Sequence, residues 1–191
     1  MSNREITDSD YQAAARSLEC EEAAIRAIAK VESPRGPFED DGEPSILFER
    51  HVFHRLTGGK YDRVDPNISS PRRGGYGKYS EQHGRLQRAA ALDRNAALMS
   101  ASWGQFQIMG ENYKQAGHAT LQSFINAMYR DAASHLRALV DFIRNDRRLL
   151  TAIRNKDWTR FARIYNGPAY AEHEYDVRIA RAYDEIKRSY P

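Results

Sequence analysis

The sequence predicts a mainly α, α+β domain: a helical body with a small irregular β-containing insert. Three observations carry that expectation. Apolar residues recur at three- and four-residue spacing before position 33 and again from Ser80 onward. Between these stretches, residues 34–78 gather Pro, Gly, Asp and Asn around one short β-compatible run, Ser45-Ile46-Leu47-Phe48. At 191 residues and 41% hydrophobic, the chain is long enough for one core and short for two, so a single domain over 1–191 is expected.

Thr7, followed three residues later by Asp10, opens the first helix, with Tyr11, Ala14, Ala15 and Leu18 on its apolar side. A second helix runs from about Glu21 to Glu32. Glu21-Glu22 suit the positive end of its dipole, and Pro34, Gly36 and Pro37 end it. Inside the insert, a short helix through Val52, Phe53 and Leu56 precedes Gly58-Gly59. The stretch 60–78 holds Pro66, Pro71, Gly74, Gly75 and Gly77, and a loop of that length is usually functional or mobile. Leu86, Ala89, Ala90, Ala97 and Leu98 mark one helix. Segments near 120–129, 131–145, 147–154, 157–165 and 172–189 follow, punctuated by Gly110, Gly117 and Gly167.

Composition removes several classes. One cysteine, Cys20, leaves no intrachain disulfide framework. The apolar fraction and 10% aromatic content set the chain apart from disordered sequences. No run of about 18 apolar residues is present to span a membrane. Met1-Ser2-Asn3-Arg4-Glu5 lacks the basic start and apolar stretch of a signal peptide, so the cytoplasm of the producing cell is the expected location. Charge is divided along the chain: net −6 over 1–50, +4 over 51–111 and +5 over 112–191, for +3 in all. A basic C-terminal part suggests attraction to a polyanion such as nucleic acid, anionic lipid or bacterial wall polymer. A solvated mixed-charge surface is the plainer reading. Zinc-finger, homeodomain and aromatic RNA-binding signatures are missing, which points away from nucleic acid.

Glu32 is the first candidate for chemistry. Ile25, Ile28, Ala29 and Glu32 fall on one helix face, so a carboxylate ends an apolar stripe. Desolvation and the negative end of the dipole both favour its protonated form, making a proton donor near neutral pH. A boundary glutamate pointing to water is the alternative. Glu49 stands 17 residues later, directly after Ile46-Leu47-Phe48. A β-excursion between two carboxylates can set them on opposite walls of one cleft, the arrangement of glycoside hydrolysis; an ion pair with Arg50 or another nearby base is the alternative.

The run from Ser100 to Met109 is uncharged and mixes small, aromatic and amide residues, suited to a sugar-binding wall or to a buried core helix. Tyr165 and Asn166, ahead of Gly167-Pro168, either cap a helix end or present polar groups to a substrate. His51 and His54 lie beside Glu49, but no His-Glu-x-x-His run exists. No metal site and no cofactor are expected, and both histidines are read as structural.

Taken in order, Glu32-Ser33 at a helix end, Gly104-Gln105-Phe106-Gln107-Ile108 and Tyr165-Asn166-Gly167 resemble the three motifs of the lysozyme-like superfamily. That superfamily includes goose-type lysozymes and soluble lytic transglycosylases. With Ile46-Leu47-Phe48-Glu49-Arg50-His51-Val52-Phe53-His54, Gly74-Gly75-Tyr76-Gly77 and Ala101-Ser102-Trp103-Gly104, the chain is similar to the N-acetylmuramidase family of phage endolysins over about residues 7–187. The resemblance implies a lysozyme-like fold whose insert forms one wall of a substrate cleft. It implies that Glu32 is the general acid, with Tyr165 and Asn166 near that acid and the substrate acetamide. Gln107 matches the amide of the cleft wall, Ser102 the small residue preceding it, and Glu49 the second carboxylate. Gln105 departs from the usual Leu or Met, as does the proline-rich stretch after Glu32-Ser33.

The implied activity is hydrolysis of the β-1,4 bond between N-acetylmuramic acid and N-acetylglucosamine in peptidoglycan. Lytic transglycosylases cleave the same bond with one glutamate and the sugar's own 6-hydroxyl, and a non-catalytic wall-binding module is a third reading. The implied partner is the peptidoglycan glycan strand. The basic C-terminal region is a candidate contact for anionic wall or outer membrane, although core packing is the more ordinary use of its apolar residues. A monomer without a separate wall-binding domain is expected, released to the wall by a holin-type protein and binding no nucleic acid.

Overall fold

The computed structural model describes residues 5–33 and 35–189. Residues 1–4, Pro34 and residues 190–191 lie outside the described part, including Met1-Ser2-Asn3-Arg4 and the contribution of Pro34 to ending the second helix.

Helix α1 (Asp8–Leu18) starts where the sequence places it. Thr7 accepts from the Asp10 backbone N–H and donates its own N–H to the Asp10 carboxylate at 2.9 Å, a reciprocal cap. Helix α2 (Glu22–Val31) is buried along most of its length: Ala24, Ile25, Ala27 and Ile28 have no exposed surface. The insert contains strand β1 (Ile46–Phe48) and helix α3 (Arg50–Thr57), which Gly58 closes in the left-handed conformation.

Residues 60–78 form no helix or strand, as their composition predicts. They are nevertheless tied down. Ile68 is fully buried, the Tyr61 hydroxyl donates to Leu92 O at 2.9 Å, and Ser69 Oγ donates to Asp62, which also meets His54 Nδ1 at 2.8 Å. Loop backbone fixed by such contacts behaves as structure.

The helix expected across positions 86–98 is in fact two, α4 (Gln82–Leu92) and α5 (Arg94–Met99). Asp93 separates them: it adopts an extended conformation (φ −156°) and its carboxylate accepts the Ala96 N–H at 2.9 Å, capping α5. The uncharged run from Ser100 to Met109 is also no helix. It is a hairpin of β2 (Ala101–Trp103) and β3 (Ile108–Met109), completing an antiparallel sheet in the order β1-β2-β3. Register is fixed by Ile46 opposite Trp103, Leu47 opposite Ser102 and Phe48 opposite Ala101, then by Ser102 opposite Met109.

The helical majority is α6 (Leu121–Arg130), α7 (Ala132–Arg144), α8 (Arg147–Asn155), α9 (Trp158–Tyr165) and α10 (Tyr175–Ser189). Three consecutive members begin at an aspartate, Asp131, Asp146 and Asp157, each accepting a first-turn backbone N–H. One core joins body and insert, with Ile28, Phe48, Trp103, Phe124, Leu139 and Phe161 all buried within it. Helix α10 packs along α2, burying Ile179 and Ala182. Ile179 and Ala182 serve the core, Tyr183 and Ile186 pack against it, and Val177 is exposed, so the helix buttresses the one that ends at Glu32. Among the described residues no helix is long and apolar enough to cross a membrane.

Candidate active site

Glu32 sits where α2 stops. Its backbone N–H still reaches Ile28 O at 2.8 Å, but its own ψ of 5° turns the chain out of the helix. The apolar face below carries the side chain into the protein, leaving it only 6% exposed. Asn166, the residue capping α9, donates its Nδ2 to Glu32 Oε2 at 2.9 Å. The second oxygen, Oε1, is buried and has no partner among the described residues. Burial raises the carboxyl pKa to about 7, against the opposing pull of the Asn166 hydrogen bond and the Arg178 charge. Near neutral pH this group holds its proton for a substantial fraction of the time.

The neighbours of Asn166 extend the network. Tyr165 donates its hydroxyl to Phe106 O at 2.9 Å, linking the end of α9 to the hairpin turn between β2 and β3. Burial and the Glu32 carboxylate push the Tyr165 hydroxyl pKa well upward, so it remains a donor. Beyond Phe106, Gln107 adopts a left-handed backbone (φ 50°) that is rare for a residue with a side chain. Its amide repays that strain locally: Nε2 donates to Gly104 O at 2.8 Å and Oε1 accepts from Ser102 Oγ at 2.7 Å. Ser102 lies opposite Leu47 in β1, and two residues further along that chain is Glu49.

A continuous set of contacts thus runs from Glu32 through Asn166, Tyr165, Phe106, Gln107 and Ser102 to the strand that delivers Glu49. Five of the six residues singled out from the sequence belong to it, and Glu49 is attached through the chain, two residues beyond the strand partner of Ser102. Ser102 is buried and Gln107 half-buried, with their polar atoms engaged by Leu47 O, Ser45 O, Gly104 O and each other.

Glu49 is half-buried at the start of α3, its N–H held by Ser100 O at 2.9 Å. Its Oε2 lies 3.1 Å from His51 Nδ1, so the base beside it is His51. Burial raises its carboxyl pKa, opposed by His51, by the Tyr76 hydroxyl and by Arg73. Both candidate carboxylates therefore share one bias, towards the protonated form, from the same cause.

Two contributors escaped the sequence. His135 of α7 is buried: its Nε2 meets Met128 O at 2.8 Å and its Nδ1 accepts the Gln105 N–H at 3.1 Å. That pairing fixes the ring with the proton on Nε2, and burial lowers its pKa, keeping it neutral. Gln82 of α4 accepts the Phe48 N–H at 2.9 Å and donates to Tyr76 O and Lys78 O, holding the Gly74–Gly77 loop against β1. Tyr76 is thereby brought to Glu49. Gln82 reaches Lys78 and Tyr76, and His135 reaches Met128, within four to seven positions, whereas the bonds to Phe48 and Gln105 span 34 and 30 positions. Among the described residues, no group of three or more His, Cys, Asp or Glu side chains is placed to hold a metal ion.

The fold and its buried carboxyl fit a glycoside hydrolase of the lysozyme type, the class that the similarity to known proteins supports. The chain belongs to the N-acetylmuramidase family, which it matches over residues 21–187. It is also similar to a solved structure, the Burkholderia AP3 phage endolysin, at 40% identity and a TM-score of 0.93, over 98% of this chain and 73% of that one. No curated protein matches the chain.

Proposed function

We propose that this protein is an endolysin that hydrolyses the β-1,4 bond between N-acetylmuramic acid and N-acetylglucosamine, with Glu32 as its general acid. The observation that supports this reading most strongly is a 6%-exposed carboxyl with a pKa near 7 and one oxygen without a partner. Protonated Glu32 gives its proton to the glycosidic oxygen as the bond to the muramic acid C1 breaks. Water then adds to the oxocarbenium ion and loses a proton, to Glu49 where that carboxylate guides the water, or back to the ionised Glu32 where Glu49 only stabilises the cation. A positioned general acid contributes about 10²–10⁴-fold to the rate. Asn166 orients the acid and, with Tyr165, lies beside the substrate acetamide; Ser102 and Gln107 stiffen the facing wall of the cleft.

The same reading has the enzyme working as a monomer on glycan strands, in one domain over 1–191. It accumulates in the cytoplasm of the producing cell and reaches the wall once a holin-type protein opens the membrane. Exposed Arg181 and Arg188 on α10 offer positive charge to an anionic wall. Nucleic acid has no place among its partners.

The test is mass spectrometry of purified peptidoglycan digested by the wild type and by Glu32→Gln. Products with reducing-end muramic acid, absent from the variant digest, support the proposal. Products lighter by one water, with anhydro ends, make the enzyme a transglycosylase and remove the catalytic role of Glu49. Cleaved peptides on intact glycan overturn the reading altogether.

A further inference from the structure

Arg85 is the one buried lysine or arginine among the described residues, 7% exposed on α4. A guanidinium carries five N–H donors, yet Arg85 spends few of them. Its Nη2 donates to Asn67 O at 2.7 Å, while Nε is buried without a partner. No carboxylate pairs with it among the described residues. Asp65 is engaged by Arg88 at 3.3 Å, and Glu81 accepts the Lys78 N–H at 3.0 Å. Glu81 and Asp65 act on Arg85 only at longer range, against Arg88 and Arg50, so the buried cation lacks a direct ion-pair partner, a costly arrangement unless something else offsets it.

Beside Arg85 opens a cavity of about 640 Å³, lined by Asn67, Gly75, Gly77, Glu81, Arg85 and Arg88. Two of its walls are bare backbone for a reason. Gly75 and Gly77 both have left-handed φ, near 70°, and a Cβ on Gly75 would stand 2.5 Å from the Arg50 guanidinium carbon. The loop thus lets a third guanidinium come close. Arg88 and Arg50 both push the Arg85 pKa down after burial itself, which places their positive charge around it. Tyr76, between the two glycines, bonds to Glu49, so the cavity adjoins the sheet-side wall of the candidate active site.

We infer that this cavity is a subsite for a carboxylate of the substrate strand, carried by its peptide stem or by the lactyl arm of muramic acid. The planar fork of an arginine matches a carboxylate in two parallel hydrogen bonds, and Arg85 has donors to spare. Glu81 on the same wall restricts the ligand to one carboxylate at this point, since a more highly charged anion would meet its repulsion. The inference rests on the muramidase reading for the identity of the ligand, whereas the site itself rests on Arg85.

The test is an NMR titration of the uniformly ¹⁵N-labelled full chain, following the Arg85 Nε–Hε resonance, assigned by its loss in Arg85→Lys. The probes are N-acetylmuramic acid, N-acetylmuramyl-alanyl-isoglutamine and, without a carboxylate, N-acetylglucosamine. Movement with N-acetylmuramic acid assigns the lactyl source; movement only with the peptide-bearing probe assigns the stem. Either result supports the subsite, provided N-acetylglucosamine leaves the resonance in place. An Arg85 resonance that ignores both acidic probes, or follows the neutral sugar equally, overturns it. In parallel, Arg88→Gln is expected to raise KM on peptide-bearing strands roughly tenfold with a smaller change in kcat; an unchanged KM counts against the subsite. The titration needs no catalysis, so a chain that shifts Arg85 but cuts no glycan refutes the muramidase reading alone.

Discussion

Asn166 Nδ2 meets Glu32 Oε2 at 2.9 Å, joining the end of α9 to the end of α2 across 134 positions of chain. Burial favours the acid, this bond and, behind it, the Arg178 charge favour the carboxylate, and the Glu32 pKa near 7 is the balance.

Removing the bond shifts that balance in a known direction. Asn166→Ala takes away an interaction that stabilises the charged form, so the Glu32 pKa rises further. The alkaline limb of the kcat/KM profile is expected to move up by roughly one pH unit, the worth of one charge-assisted hydrogen bond. The profile of purified variant against wild type checks this, and a limb that moves down or stays contradicts it.

Glu32 also makes folding stability depend on pH. Its folded pKa, about 7, lies above the ordinary value of 4.5 expected when unfolded. Between these values the folded state keeps a proton that the unfolded state has released, so stability falls as pH rises through this window. The full difference is on the order of 3 kcal/mol. Glu32→Gln removes it, so the variant should melt several degrees above wild type at pH 8 and lose that advantage near pH 4. Thermal unfolding at the two pH values measures the effect.

Gly104 meets two demands at once. Its φ of 69° is left-handed, and a Cβ there would stand 2.8 Å from His135 Nδ1. Gly104→Ala is expected to destabilise the protein by about 2–4 kcal/mol, combining backbone strain with a crowded buried ring. Denaturant unfolding gives the value directly.

Helix α10 is predicted to be indispensable. It covers α2 with Ile179 and Ala182, and the Tyr183 hydroxyl and Lys187 reach Glu21 at 2.8 and 3.0 Å. A chain ending at Ala171 should lack a cooperative thermal transition by circular dichroism. A truncated chain that melts cooperatively would free α10 for a role outside the core.

Much of this was legible in the sequence, and the reasons are local. Helices announce themselves through apolar spacing and, at α1, through the Thr7 cap, while the capping roles of Asp131, Asp146 and Asp157 emerged only in the fold. Glu32 was visible because it ends an apolar stripe, so its burial follows from the face it shares with Ile25 and Ile28. The hairpin was not visible, since strands of three and two residues are too short to display alternation. Asp93 reads as an ordinary polar residue within a helix until its capping role divides α4 from α5. His135, Gln82 and Arg85 act on partners brought near by the fold, as when Gln82 accepts the N–H of Phe48, 34 positions away. Nothing in their immediate sequence marks them.

The most direct measurement is a ¹³C NMR titration of the Glu32 side-chain carboxyl in the folded chain, assigned with Glu32→Gln. A midpoint near pH 7 is the predicted result, placing a proton on this carboxyl where the chemistry needs one. A midpoint near the ordinary 4.5 would mean a solvated, ionised glutamate, and Glu32 would lose its place as the acid.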